Sequence, residues 1–229
     1  MNQRIIIATP HIRYDNLELK IRERLSDYEV IRIRFREELL VDRLKELKPE
    51  FIFFPHWSWL IPEEIFSQYE CVIFHMTDLP YGRGGSPLQN LIVRGHTETR
   101  LSAIRCEIGL DSGPIYEKKH LSLIGTAEEI LLRASQLMED MIISIVRNHP
   151  VPVQQTGNPV FFSRRNPDDG NLENVDTLRE VYNYIRMLDA EGYPHAFIET
   201  DTFRFEFLEA KFSDSLVSAK VIIKRKEHE

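Results

Sequence analysis

The first 75 residues alternate short apolar runs with amphipathic segments, and this rhythm restricts the fold more than any other feature of the chain. The apolar runs lie at 4–8, 30–34, 51–54 and 71–74, and segments with helical spacing lie between them, at 16–25, 37–47 and 61–66. Strand and helix in regular alternation predict an α/β fold: a Rossmann-like, mostly parallel sheet with helices on both faces and right-handed crossovers. The alternating apolar and basic side chains at 30–34 predict a strand near the edge of this sheet.

Beyond this region the pattern changes twice. Residues 75–87 (HMTDLPYGRGGSP) are rich in Gly and Pro and predict a loop, followed by a helix at 87–94, strands at 99–108 and 114–123, and a long helix at 126–147. Residues 149–159 (HPVPVQQTGNP) interrupt all periodicity. We therefore predict a domain at 1–150 and a small β-rich α+β segment at 151–229, with a helix at 177–189 and strands at 196–199, 203–208 and 219–224.

Composition excludes several classes of protein. No apolar stretch approaches the roughly 20 residues of a membrane span, and the N-terminal apolar run is too short for a signal peptide. Cys71 and Cys106 are the only cysteines, too few for a disulfide framework or a thiolate zinc site, and the histidines show no metal-site spacing. These features predict a cytoplasmic protein without a metal. The formal net charge of -7 argues against nucleic acid as a partner.

Two polar residues follow predicted strands and are candidates for chemistry. His75 comes directly after the run at 71–74, and Asp111 lies in the turn GLDSG after the strand at 99–108. In an open parallel sheet ligands bind beyond the carboxyl ends of the strands, so these side chains are expected to meet there. Each also has a simpler interpretation: a histidine at a strand end is more often structural, and an Asp with glycines close by, here at 109 and 113, favours tight turns.

The glycine cluster at 81–86 (YGRGGS) is a second candidate. It permits close approach of the backbone to a ligand, and Arg83 offers a forked donor to phosphate or carboxylate. The spacing matches neither a dinucleotide fingerprint nor a P-loop, so the cluster alone is a weak motif. Trp57 and Trp59 are suited either to stacking on a flat ring or to ordinary packing.

Together these segments resemble the formyltransferase family, which includes methionyl-tRNA, glycinamide ribonucleotide and sugar N-formyltransferases. The resemblance rests on LIPEEIF at 60–66, FHMTDLPYGRGGSPLQNLIVRG at 74–95 and GLDSGPIY at 109–116, and continues into SRRNPDDGNL and YNYIRMLDAEGYPHAF beyond the break. It implies that residues 1–150 are the catalytic domain and that the substrate supplying the formyl group is 10-formyltetrahydrofolate.

The resemblance also implies roles for particular residues. His75 and Asp111 are the catalytic pair, with His75 stabilising the oxyanion or moving protons and Asp111 orienting it. The folate ring is expected against Trp59, Leu60, Ile61, Pro62, Leu110 and Asp111. The acceptor is expected near Tyr81, Arg83, Gly84, Gly85 and Asn90.

One position departs from the family. The family usually carries Asn two residues before the catalytic histidine, as an oxyanion donor, and this chain has Ile73 there. Three interpretations follow: another donor such as Asn90, Thr77 or His56 takes the role, the reaction runs more slowly, or the protein binds folate without turnover. Transfer to a different amine, or to water, is a further alternative.

The C-terminal segment bears on the acceptor. At about 80 residues it is longer than the tail of glycinamide ribonucleotide enzymes and shorter than that of methionyl-tRNA enzymes. It carries the acidic residues Asp168, Asp169, Glu173, Glu191, Glu199, Glu206 and Glu209. These features favour the sugar N-formyltransferases, with a nucleotide-linked amino sugar as acceptor and a role in bacterial surface polysaccharide. Phe203, Phe205 and Phe207 alternate along one strand and are expected either in the core or across a homodimer.

Overall fold

The computed structural model describes residues 3–226, so the ends of the two predicted domain ranges, at 1–2 and 227–229, lie outside the described residues. Its strands are β1 (Gln3–Ala8), β2 (Tyr28–Ile33), β3 (Phe51–Phe54), β4 (Cys71–His75), β5 (Tyr81–Gly84), β6 (Glu98–Arg105), β7 (Ile115–Ser122), β8 (Val160–Phe162), β9 (Ala196–Glu199), β10 (Phe203–Ser213) and β11 (Leu216–Arg225). Its α-helices are α1 (Asp15–Arg24), α2 (Val41–Leu47), α3 (Glu63–Phe66), α4 (Pro87–Val93), α5 (Ala127–Asn148) and α6 (Leu178–Leu188). No helix within residues 3–226 is long and apolar enough to cross a membrane.

The main sheet has six strands in the order β2-β1-β3-β4-β6-β7. The pairs β1–β2, β1–β3 and β3–β4 are parallel, and β4–β6 is antiparallel. Strand β1 is buried from Ile5 to Ala8 and every residue of β3 is buried, as expected for strands covered by helices. The predicted α/β class with a mostly parallel sheet is therefore confirmed, and β2 lies at the edge as its basic side chains predict.

The chain forms two compact units, and each is described by itself. The first contains the residues up to Arg83, Arg100–Leu121 and Leu132–Phe161; the second contains Gly84–Thr99, Ser122–Leu131 and the residues from Phe162 onward. In the second unit α6 contacts an antiparallel sheet ordered β11-β10-β9. Phe207 faces a cavity there with Val181 and Ile185 of α6, whereas Phe203 is 42% exposed. The domain boundary at residue 150 stays a prediction.

Two observed elements differ from the predicted ones. The helix expected at 37–47 is divided into a 3-10 turn, Arg36–Glu38, and α2, because the chain is extended at Leu40 between them. The Glu38 carboxylate caps the start of the turn by accepting hydrogen bonds from the backbone N–H groups of Arg34 and Phe35. Residues 75–87 are not entirely a loop, since Tyr81–Gly84 form β5, which pairs with the unpredicted strand β8. Both strands are too short to leave a periodic signal.

Candidate active site

His75 is the last residue of β4 and its ring is almost completely buried, with 7% of the residue exposed. Its Nε2 atom lies 2.7 Å from the backbone carbonyl oxygen of Gly82. A carbonyl oxygen only accepts, so Nε2 carries a hydrogen. In the neutral ring, Nδ1 is consequently the atom that can take up a proton.

Asp111 lies in the turn between β6 and β7, with a left-handed backbone conformation (φ 48°). Its Oδ2 atom is 3.5 Å from Nδ1 of His75. The structure thus brings together the two residues that the sequence places after separate strands. The carboxylate thus lies beside the ring nitrogen that can accept a proton, and this arrangement is suited to general acid–base chemistry.

Gln155 holds the turn that carries Asp111, and sequence analysis missed it. Its side-chain Nε2 donates to the backbone oxygens of Asp111 and Gly113, at 2.8 Å each. Its Oε1 accepts from Nε and Nη2 of Arg83, at 3.1 and 2.8 Å. A single glutamine in an irregular segment leaves no periodic signal, and only the fold brings it to the turn.

The remaining predicted acceptor-site residues have local partners. The Arg83 guanidinium contacts Gln155, and the N–H of Tyr81 donates to the Asp78 carbonyl. In the second unit, a Cβ atom added to Gly84 would lie 2.3 Å from the Phe162 carbonyl oxygen, and one added to Gly85 would lie 2.5 Å from Cβ of Arg164. These glycines therefore allow close approach of the chain's own backbone, and their contact with an acceptor stays a prediction.

The Asn90 side chain also makes its hydrogen bonds within the second unit. Its Nδ2 donates to the backbone oxygens of Gly85 and Ser163, and its Oδ1 accepts from Arg94. An amide has two hydrogens, and both are used. Asn90 therefore has no hydrogen left to stabilise an oxyanion in this conformation, and its role as the substitute donor stays a prediction that requires one of these hydrogen bonds to break.

Ile73 belongs to an apolar region of the first unit. Together with Trp57, Ile61 and Cys106 it packs against a core cluster that includes Phe54 and Cys71. Residues two apart on a strand share a face, so Ile73 and His75 lie on the same face of β4. At the position of the family's asparagine, this chain therefore has an apolar side chain that packs against the core. Thr77 directs its hydroxyl to the Gly82 carbonyl oxygen, at 3.5 Å.

His56 follows β3 and lies close to His11 and Tyr14, which follow β1. Its ring centroid is 4.4 Å from that of His11, and its Nδ1 is 3.4 Å from the Tyr14 hydroxyl. Burial, and then the nearby His11 and Arg13, lower the pKa of His56 from 6.5 to about 3. His56 is therefore neutral at physiological pH.

The predicted folate-binding segment combines exposed apolar groups with a buried donor. Trp59 is 37% exposed, Leu60 87% and Leu110 55%, while Ile61 is half-buried and Pro62 is exposed. Trp57 packs edge-on against Trp59 with ring centroids 4.8 Å apart. Its indole N–H is buried without an acceptor among the described residues. Apolar surface beside an unused donor fits a flat heteroaromatic ring bearing carbonyl and ring-nitrogen acceptors. Residues 3–226 contain no group of three or more His, Cys, Asp or Glu arranged to hold a metal.

Comparison with known protein families gives two matches. Residues 20–145 match the model described as formyl transferase, and residues 167–224 match the model described as methionyl-tRNA formyltransferase, C-terminal domain. The first covers more than half of the chain.

Individual relatives agree with these matches. A solved structure named methionyl-tRNA formyltransferase from Clostridium thermocellum is 45% identical, with a TM-score of 0.95 over 98% of this chain and 100% of that one. The methionyl-tRNA formyltransferase of Campylobacter lari is 28% identical over 79% of this chain. Only 59% of that relative is covered, so the chain spans about three-fifths of its length. A sugar N-formyltransferase from Shewanella is 14% identical, with a TM-score of 0.69 over 88% of this chain and 94% of that one, which shows a shared fold alone.

These matches overturn the predicted acceptor. The expectation of a nucleotide-linked amino sugar, with a role in surface polysaccharide and no nucleic acid as partner, was wrong, because the much more similar chains are named methionyl-tRNA formyltransferases. The length of the C-terminal segment was a poor guide to the acceptor, because the Clostridium thermocellum chain is matched over its whole length and so has no longer C-terminal segment. Net charge was also a poor guide to the partner, because it sums the charges of the whole chain, whereas nucleic acid is bound by local groups.

Proposed function

We propose, on the premise that this chain belongs to the formyltransferase family, that it transfers a formyl group from 10-formyltetrahydrofolate to the amino group of methionyl-tRNA. The observation that carries the proposal is the 45% identity and full-length match to a chain named methionyl-tRNA formyltransferase, combined with the His75–Asp111 pair. Aminoacyl-tRNA as acceptor would place the reaction in the cytoplasm.

Bound 10-formyltetrahydrofolate supplies the formyl carbon and a nitrogen leaving group, and the segment at 59–62 with Leu110 would hold its ring. When the amine bonds to the formyl carbon, it must lose a proton, and Nδ1 of His75 takes it. Asp111 stabilises the imidazolium, whose other N–H remains on the Gly82 oxygen. His75 returns the proton to the folate nitrogen as the old carbon–nitrogen bond breaks.

The second unit offers groups suited to RNA. Arg165 lies over the half-buried ring of Tyr184 at 5.4 Å, and exposed Arg179 lies over the half-buried ring of Phe212 at 3.6 Å. Stacked arginine and aromatic side chains contact phosphates and bases without sequence preference. They support an RNA acceptor despite the acidic average of the chain.

The test is incubation of the purified protein with 10-formyltetrahydrofolate and methionyl-tRNA, followed by mass spectrometry of the released amino acid. Formylmethionine is expected, and it should be absent when deacylated tRNA is supplied. Formate release without any formylated amine would instead support hydrolysis of the donor. Folate binding with neither product would support a binding protein.

A further inference from the structure

The two proposed catalytic residues are joined by a closed ring of contacts within the first unit. His75 contacts the Gly82 carbonyl through Nε2 and Asp111 through Nδ1. Gly82 is followed in β5 by Arg83, which binds Gln155, and Gln155 binds the backbone of Asp111. The ring therefore returns to its starting point.

We propose that Gln155 is a positioning residue for formyl transfer, fixing the Asp111 turn to the strand that also fixes His75; this inference rests on the proposed function. Gln155 bridges two carbonyls of the turn, at Asp111 and Gly113, so the turn can neither rotate nor move away from Arg83 without breaking contacts. The turn needs such a restraint because Asp111 has a left-handed conformation that costs free energy for a residue other than glycine.

The two ends of the glutamine amide have separable functions. Its oxygen accepts hydrogen bonds from Arg83, and its nitrogen donates to the backbone of the turn. Glutamate retains an oxygen that can accept from Arg83 but has no hydrogen to donate, and its carboxylate would face the two carbonyl oxygens. Gln155→Glu therefore releases the Asp111 turn while preserving the contact with Arg83. Gln154→Glu is the matched control, because Gln154 is the exposed neighbour and the charge change is the same.

Steady-state kinetics measure the consequence. Because misplacing a catalytic group by about 1 Å can cost about 100-fold in rate, Gln155→Glu is expected to lower kcat by about 10- to 100-fold. KM for 10-formyltetrahydrofolate should change less than kcat, because the released turn carries only Leu110 and Asp111 of the predicted folate-binding residues and Gln155 does not contact the segment at 59–62. Gln154→Glu should match the wild type. A kcat for Gln155→Glu within threefold of wild type would overturn the inference.

A spectroscopic measurement separates this inference from the proposed function. The ¹⁵N resonance of His75 Nδ1 reports its contact with Asp111, and Asp111→Asn gives the reference for its loss. Gln155→Glu should shift this resonance toward the Asp111→Asn value, and Gln154→Glu should not. If wild-type protein makes no formylmethionyl-tRNA, the proposed function fails, and the resonance alone then decides whether Gln155 positions the pair. An unchanged resonance in Gln155→Glu would refute the positioning role.

Discussion

Ile73→Asn restores the asparagine that the family carries two residues before its histidine, and the structure gives the expected cost. Complete burial of an isoleucine side chain stabilises a protein by about 1.5–3 kcal/mol, and Ile73 is only half-buried. A polar amide left without partners in this apolar region costs a further amount of about 1–3 kcal/mol. We therefore expect the free energy of unfolding to fall by about 2–4 kcal/mol, measurable by urea denaturation.

The expected effect on catalysis has the opposite sign. Removing one oxyanion donor from other enzymes lowers kcat by about 10²–10³. In this chain Nε2 of His75 and the Asn90 amide are both committed to carbonyl oxygens. A new amide on the face of His75 should therefore raise kcat, and we expect a gain of at least about tenfold, below the full range because the surrounding side chains are packed for isoleucine.

The assay is single-turnover formyl transfer at a temperature where the variant is folded, with Ile73→Leu as a control of similar volume that has no donor. Ile73→Leu should have wild-type kcat. If folded Ile73→Asn is no faster than wild type, the reasoning is refuted, and another group, for which His56 and Thr77 remain candidates, already supplies the donor.

Three further predictions concern pH, packing and the second unit. The unfolded chain protonates His56 near pH 6.5 but the folded protein only near pH 3, so stability should fall as pH decreases through this window, by at most about 1.4 kcal/mol per unit, and urea titrations of His56→Asn should show a weaker dependence. Gly113→Ala would place a Cβ 1.9 Å from the Arg105 carbonyl oxygen, so kcat should fall about tenfold or more while circular dichroism still shows a folded protein. Buried Arg186 donates to the carbonyl oxygens of Leu123 and Gly125, so Arg186→Met should lower the free energy of unfolding in urea by about 2–4 kcal/mol. A decrease below about 0.5 kcal/mol, the size typical of surface substitutions, would contradict this prediction.

The sheet was predictable because its strands are strongly apolar and separated by helical periodicity. Phe51–Phe54 and Ala196–Glu199 were predicted with their observed bounds. His75 and Asp111 meet as expected, but the parallel-strand rule from which this was predicted does not apply to them. Strand β6 is antiparallel to β4, so the carboxyl ends of the two strands lie at opposite edges of the sheet, and the turn between β6 and β7 brings Asp111 to His75. The strands depend on local patterns in the sequence, whereas the path of this turn does not.

The supports of the site were not predictable in the same way. Gln155 acts through contacts with residues distant in the chain, and nothing in the local sequence distinguishes it from Gln154. Arg83 was predicted to meet a ligand because its guanidinium suits anions, but here it holds an amide oxygen. The acceptor was predicted wrongly because chain length and net charge describe the chain as a whole, whereas recognition depends on the arrangement of particular groups.

The most direct test of the central claim compares wild-type protein with His75→Ala in formyl transfer from 10-formyltetrahydrofolate to methionyl-tRNA, with circular dichroism to confirm that both are folded. We predict formylmethionine from the wild type and a loss of at least about 100-fold in kcat for the variant, the lower end of what a positioned proton-transfer group contributes. Wild-type rates in folded His75→Ala would contradict the account.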